Sequence, residues 1–155
     1  MPRFNEVHTD YFACDRRKII SLVENKKRYI ANNESEKFVA QYHIDTNTAP
    51  PKKCDYAIYI FDREKPIKDD NRVIFIELKG GADVSKAIEQ ICQSIKDLII
   101  QPGIDCAYID ARIVAAQCPP PRYYHTKEVK LNQLLKPYGG RRLEIGSNGY
   151  FHENI

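Results

Sequence analysis

Long apolar runs are missing from this chain. Nothing in its 155 residues approaches the roughly 18 consecutive apolar residues of a membrane-spanning helix, so no membrane partner is expected. The opening MPRFNEVHTD has no apolar stretch, so no secretory leader is expected and the compartment reads as cytoplasmic. Close cysteine pairs are missing too. Five cysteines stand at 14, 54, 92, 106 and 118, an odd count with no two nearer than twelve residues. Zinc sites show tight CxxC or HxxxH pairs, so the cysteines read as reduced, mostly buried thiols. No GxGxxG and no P-loop is present, so no nucleotide cofactor is implied. No serine sits in a GxSxG elbow, and His8, His43, His125 and His152 are scattered, which excludes serine-hydrolase and histidine-centred chemistry as first readings. Repeats, low-complexity tracts and long linkers are absent as well, so residues 1–155 read as one domain.

What is there is the composition of a packed protein: 43% hydrophobic and 29% charged residues. A formal net charge of +3 is too mild to prescribe a polyanionic partner. The cations are nevertheless clustered, at Arg16 to Lys18, Lys26 to Arg28, Lys52 with Lys53, and Arg141 with Arg142. Such clusters contact phosphates in some proteins and are solvated faces in most.

Hydrophobic spacing sets the expected elements. Residues 15–24 read as a short helix with Ile19, Leu22 and Val23 on one face and Asp15 as its N-cap. Residues 37–45 and 54–61 read as strands, separated by a turn at Pro50 and Pro51. In the second strand, alternation sets Asp55, Ala57, Tyr59 and Phe61 against Tyr56, Ile58 and Ile60. Residues 72–79, RVIFIELK, are apolar on both faces until the end, the pattern of a central strand. Residues 83–100 form an amphipathic helix, capped by Asp83 or Ser85 and stopped at Pro102 and Gly103. Residues 105–116 read as a further central strand, parallel to 72–79 through a crossover, and 126–136 as a helix. The tail reads as a hairpin around Asn148 and Gly149. The fold class is therefore α/β, with a mixed central sheet flanked by helices.

The chemistry concentrates at one place. Glu77 and Lys79 are two apart on a strand, so they share a face at its C-terminal end. Burying a carboxylate and an ammonium there is costly unless they are paired or used. Asp55 opens the preceding strand, and in an antiparallel pair the start of one strand lies beside the end of the next. Asp55 and Glu77, with the Leu78 carbonyl between Glu77 and Lys79, supply oxygen ligands suited to Mg²⁺ or Mn²⁺. Lys79 can stabilise charge developing on phosphorus and assist an attacking water. A surface ion pair between Glu77 and Lys79 is the plain alternative.

Asp55 with the Ile76-Glu77-Leu78-Lys79-Gly80 segment resembles the PD-(D/E)XK motif of restriction-endonuclease-like nucleases. The order of elements over residues 15–116 is similar to that superfamily's α-β-β-β-α-β core. The residue before the aspartate is Cys54 instead of proline. The resemblance implies a Mg²⁺-dependent nuclease with Asp55 and Glu77 as metal ligands and Lys79 beside the water. It also implies a glutamate from the first helix, for which Glu24 is the candidate and Glu34 and Glu36 compete. A glutamine on the helix after ExK is implied in some branches. Gln90 is the candidate beside Gln93, although the helical wheel turns both away from the apolar stripe. Asp45 reads as a turn residue near the same site, and Tyr56, Tyr59, Tyr123 and Tyr124 as strand or core residues able to stack on bases.

The expected function is hydrolysis of phosphodiester bonds in DNA, with RNA left open. Lys52, Lys53, Arg141 and Arg142 are the candidate phosphate contacts. Two-strand cleavage calls for two sites, hence a homodimer. The alternative is a catalytically silent or partner-dependent nuclease-fold module that binds nucleic acid or protein, for example in phage defence.

Overall fold

The computed structural model describes residues 2–45, 52–62, 71–78, 83–139 and 143–155. A single helical turn, α1 (Phe4–Val7), leads into four strands: β1 (Ala13–Asp15), β2 (Ile19–Glu24), β3 (Lys27–Asn32) and β4 (Phe38–His43). Then follow β5 (Tyr56–Phe61), β6 (Arg72–Glu77), α2 (Val84–Ile95), β7 (Tyr108–Val114), α3 (His125–Leu135), β8 (Leu143–Gly146) and β9 (Tyr150–Asn154). The class is mixed α/β. None of the described helices is long and apolar enough to cross a membrane.

The strands form two sheets. Six lie in the order β1-β4-β5-β6-β7-β8 and three in the order β2-β3-β9. β4, β5 and β6 pair antiparallel, and β6 then pairs parallel with β7, as the crossover through α2 requires. Alternation assigns side chains to two cores. Ala57, Tyr59, Phe61, Val73 and Phe75 join the core under the helices. Ile58, Ile60, Ile74 and Ile76 join a second core, where they meet Ile20 and Leu22 of β2 and Tyr29 and Ala31 of β3. The six-stranded sheet is thus the middle of three layers, with helices on one face and the small sheet on the other. Each fully buried Ile or Phe contributes about 1.5–3 kcal/mol relative to exposure, so β6, buried on both faces and flanked by the equally buried β5 and β7, is firmly anchored.

α2 begins where the sequence places it, with the Asp83 carboxylate accepting the Lys86 amide at 3.0 Å. Its last turn, 96–100, widens to π-helical, with the Gln101 amide reaching the Lys96 carbonyl at 2.9 Å. Gly103 then takes φ +70°, a conformation glycine adopts without strain, and the helix stops.

Two expectations are corrected. Residues 15–24 are not a helix. Their IISLVE segment alternates exposed and buried as β2 and turns through Asn25 and Lys26, both at positive φ, into β3. Tertiary pairing decides here: Ile20 and Leu22 bury against the central sheet, while Ile19 and Val23 stay exposed. Glu24 is therefore the last residue of a strand. Nor is the tail a hairpin. A tight turn does sit at Asn148 and Gly149, but β8 pairs parallel with β7 and β9 pairs parallel with β3, in different sheets.

Ion pairs bind the small sheet to the large one. Arg112 of β7 makes paired bonds to Glu153 of β9, Nε to Oε2 at 3.0 Å and Nη2 to Oε1 at 3.1 Å. The Tyr29 hydroxyl donates to the same carboxylate at 2.7 Å. Burial pushes the tyrosine's pKa up and the Glu153 charge adds to it, so the hydroxyl keeps its proton and serves as donor. Arg72 reaches Asp110 at 2.5 Å. Bidentate guanidinium–carboxylate pairs are strong, and removing one member of a buried pair strands the other charge. Arg112→Ala is expected to cost about 3–5 kcal/mol in a urea unfolding titration. Glu144→Ala, whose carboxylate also lies near Arg112 but is 43% exposed, is expected to cost less than about 1 kcal/mol in the same titration.

Candidate active site

The pairing of Tyr56 with Ile76 fixes the site. One antiparallel step further, Asp55 stands opposite Glu77, and side chains replace the backbone ladder. The Asp55 amide donates to Glu77 Oε1 at 3.0 Å, and the Leu78 amide donates to Asp55 Oδ2 at 2.8 Å. Each carboxylate thus grips the neighbouring strand's main chain, and amide-to-carboxylate bonds are stronger than neutral ones. Glu77 is fully buried and Asp55 is 8% exposed. Leu78, the expected carbonyl donor, is fixed beside Asp55 by its amide bond. Both carboxylates follow the alternation of Ala57 and Phe75, so they lie on the helix-covered face of the sheet.

α2 is pinned to this corner. The Ser94 hydroxyl accepts the Cys54 amide at 2.9 Å and contacts the Gln90 carbonyl at 2.8 Å. Cys54 is fully buried, and burial pushes its thiol up, with Ser94 opposing and the Glu77 and Asp55 charges adding. It is an inert neighbour of the site and no nucleophile. Gln90, one turn before Ser94, is buried. The helical wheel set it with Gln93 away from the apolar stripe, but only Gln93 fits that reading, bonding Asp97 at 2.9 Å. Gln90 instead lies at the inner wall of the cleft between α2 and α3.

Glu24 reaches the same end of the sheet from the other side, by strand instead of helix. Burial raises its pKa, the Asp55 charge raises it further, His43 opposes, and Asp45 adds. The His43 Nε2 lies 3.9 Å from Glu24 Oε2, and its ring stacks on Tyr56 at 4.7 Å. The sequence sets His43 aside as one of four scattered histidines. The signal was available, because the β4–β5 register sets His43 opposite Tyr56, next to Asp55. Of the expected phosphate contacts, Lys53 lies 3.8 Å from Asp97, and Lys52 lines the cleft between α2 and α3. Lys79, Arg141 and Arg142 lie outside the described residues.

Among the described residues, no group of three or more His, Cys, Asp or Glu side chains is arranged to hold a metal ion. The donor set is the opposed pair Asp55 and Glu77, both hard oxygen donors drawn out of water. That set fits Mg²⁺ or Mn²⁺ and does not suit a softer ion. Mg²⁺ is commonly held by one or two carboxylates while keeping several waters. Comparison with protein-family models, with curated proteins and with solved structures gives no match.

The raised Glu24 carboxyl has a consequence for stability. Folding disfavours its ionised form, so its contribution is neutral at low pH and becomes unfavourable as pH rises above the ordinary value of 4.5. Glu24→Gln removes that penalty. In EDTA at pH 7 the variant is expected to melt above the wild type. The gap should close near pH 3.5, where the wild-type carboxyl is protonated in both states. Calorimetry at the two pH values checks the sign.

Proposed function

We propose that the chain is a metal-dependent nuclease of the PD-(D/E)XK, restriction-endonuclease-like kind, hydrolysing phosphodiester bonds in DNA. The observation that carries this reading is the buried pairing of Asp55 with Glu77 at the end of a central strand, two residues before Lys79. The order β4-β5-β6-α2-β7, antiparallel and then parallel through a helix, supports it. The leading helix of that core has a β-hairpin in its place.

When bound, Mg²⁺ or Mn²⁺ supplies a Lewis acid and lowers the pKa of a bound water. Asp55 and Glu77 would hold the ion, and the Leu78 and Asp55 amides hold the two carboxylates in register. Lys79 supplies positive charge for the phosphoryl oxygens as water adds and the P–O bond to the leaving oxygen breaks. Gln90 orients polar groups at the buried side. Glu24, with its raised carboxyl, stands at the rim as a proton acceptor or an outer ligand. Cleavage of both strands would require two copies related by a two-fold axis.

A second reading is favoured by the two-carboxylate donor set, which lacks a third acidic ligand among the described residues. On that reading the chain is a nuclease-fold binding module that does not cut unaided.

The test is incubation with single-stranded, plasmid and RNA substrates over a range of Mg²⁺ and Mn²⁺, with Mn²⁺ binding followed by calorimetry. The nuclease reading expects cleavage that EDTA abolishes and that Asp55→Asn, Glu77→Gln and Lys79→Met each lower by at least about 100-fold. Nucleic-acid binding without cleavage at any metal concentration selects the binding module.

A further inference from the structure

The proposed active site does not account for a deep groove beside it on the helical face. This groove, about 1070 Å³, runs between α2 and α3. Its walls carry Lys52, Lys86, Lys96, Lys127 and Lys130 against two carboxylates, Asp83 and Glu89. Lys86 lies 3.8 Å from Asp83, and Lys127 is paired with Glu89. Lys52, Lys96 and Lys130 are in no ion pair with any described residue. Cations spread over the whole surface would explain a net charge of +3, but they would not explain this concentration in one concavity.

We infer that this groove is the track for a single strand of nucleic acid, which it delivers to the Asp55 and Glu77 corner. Its destination rests on the nuclease reading above. Three observations favour a strand over other anions. First, the groove is lined by residues that neighbour the proposed site. Lys52 stands three residues before Asp55, and Gln90 lines the groove one turn from the Ser94 that holds the Cys54 amide. Second, the volume stands at the top of the roughly 300–1,000 Å³ range of small-molecule pockets, room enough for more than one nucleotide unit. The groove's lysines come from the segment before β5 and from both helices, so it offers several phosphate partners in one concavity. Third, the lining combines cations with the part-exposed apolar side chains of Cys92 and Leu134, and with the amides of Gln93 and Gln133. Lysines take phosphates, apolar side chains accept base faces and amides accept base edges. A purely acidic peptide would use only the first.

Among the described residues, no Phe or Tyr lines the groove. Base stacking on aromatic rings, worth about 1–3 kcal/mol per base, is therefore missing. Affinity must come mainly from phosphate neutralisation, so binding will be steeply salt-dependent and weakly selective for sequence.

The experiment uses full-length protein carrying Asp55→Asn, in EDTA, with a fluorescein-labelled oligo(dT) followed by anisotropy from low to high salt. Lys96→Glu with Lys130→Glu is expected to weaken binding at least tenfold. It should also reduce the log–log salt slope by about 1.4, roughly 0.7 for each lost single-strand phosphate contact. Lys18→Glu with Lys37→Glu, at the far end of the sheet, should change neither. Circular dichroism confirms that both pairs fold. Equal binding by the Lys96/Lys130 variant overturns the assignment. So does displacement of the oligonucleotide by polyglutamate at equal charge, which would make the groove an acidic-protein site. Cleavage by the otherwise wild-type protein is scored separately. Groove-dependent binding without cleavage keeps the track and rejects the nuclease, whereas cleavage with groove-independent binding does the reverse.

Discussion

Burial of β6 on both faces is the constraint from which the rest of the structure follows. A strand covered by helices on one side and by a second sheet on the other cannot move in register. Its neighbours β5 and β7 are therefore fixed against it, and the residue at its end is fixed as well. Glu77 is that residue. A carboxylate held without exposure at the end of such a strand must satisfy its oxygens locally, and it does so partly by taking the Asp55 amide. Asp55 returns the arrangement by accepting the Leu78 amide. The candidate site is thus the place where the sheet's hydrogen-bond ladder is completed by side chains, and its geometry inherits the rigidity of the core.

Much of this was legible in the sequence. Continuous apolar residues from Val73 to Ile76 announce a strand buried on both sides, and the alternation from Asp55 to Phe61 assigns both faces of β5 correctly. Asp83 and Gly103 mark the ends of the α2 segment by their chemistry alone. The opposition of Asp55 and Glu77 followed from antiparallel geometry, without knowledge of distant packing.

What failed did so for physical reasons. In the segment from Ile19 to Glu24, the spacing of Ile19, Leu22 and Val23 satisfies a helix, while Ile20 and Leu22 satisfy a strand. Six residues are too few for periodicity to decide. The strand is selected by Tyr29 and Ala31 across the hairpin and by the central sheet beneath, none of which is local. His43 was judged by its distance along the chain from other histidines, when its relevant neighbour lies across a register. Gln90 was judged by the apolar stripe of its helix, although α3 packs beside α2 there and covers it. The partition of β8 and β9 between sheets is accompanied by Arg112 meeting Glu153, a pairing no local pattern contains.

That last contact has a bearing on how the chain reaches its native state. The small sheet is closed by β9, and Tyr29 meets Glu153 across 124 residues of sequence. Until β9 arrives, β3 presents an open edge and the apolar side of the β2–β3 hairpin has only part of its cover. Local pairings such as β2 with β3 can form early, but the layer that seals the second core must wait for a long-range, parallel strand addition. Topologies of this sort fold slowly, because a large loop closes before its contacts repay the lost entropy. The same open edge is a template for a strand from another molecule. Folding of this protein is therefore a race between its own late strand and a foreign one, and its yield will depend on concentration.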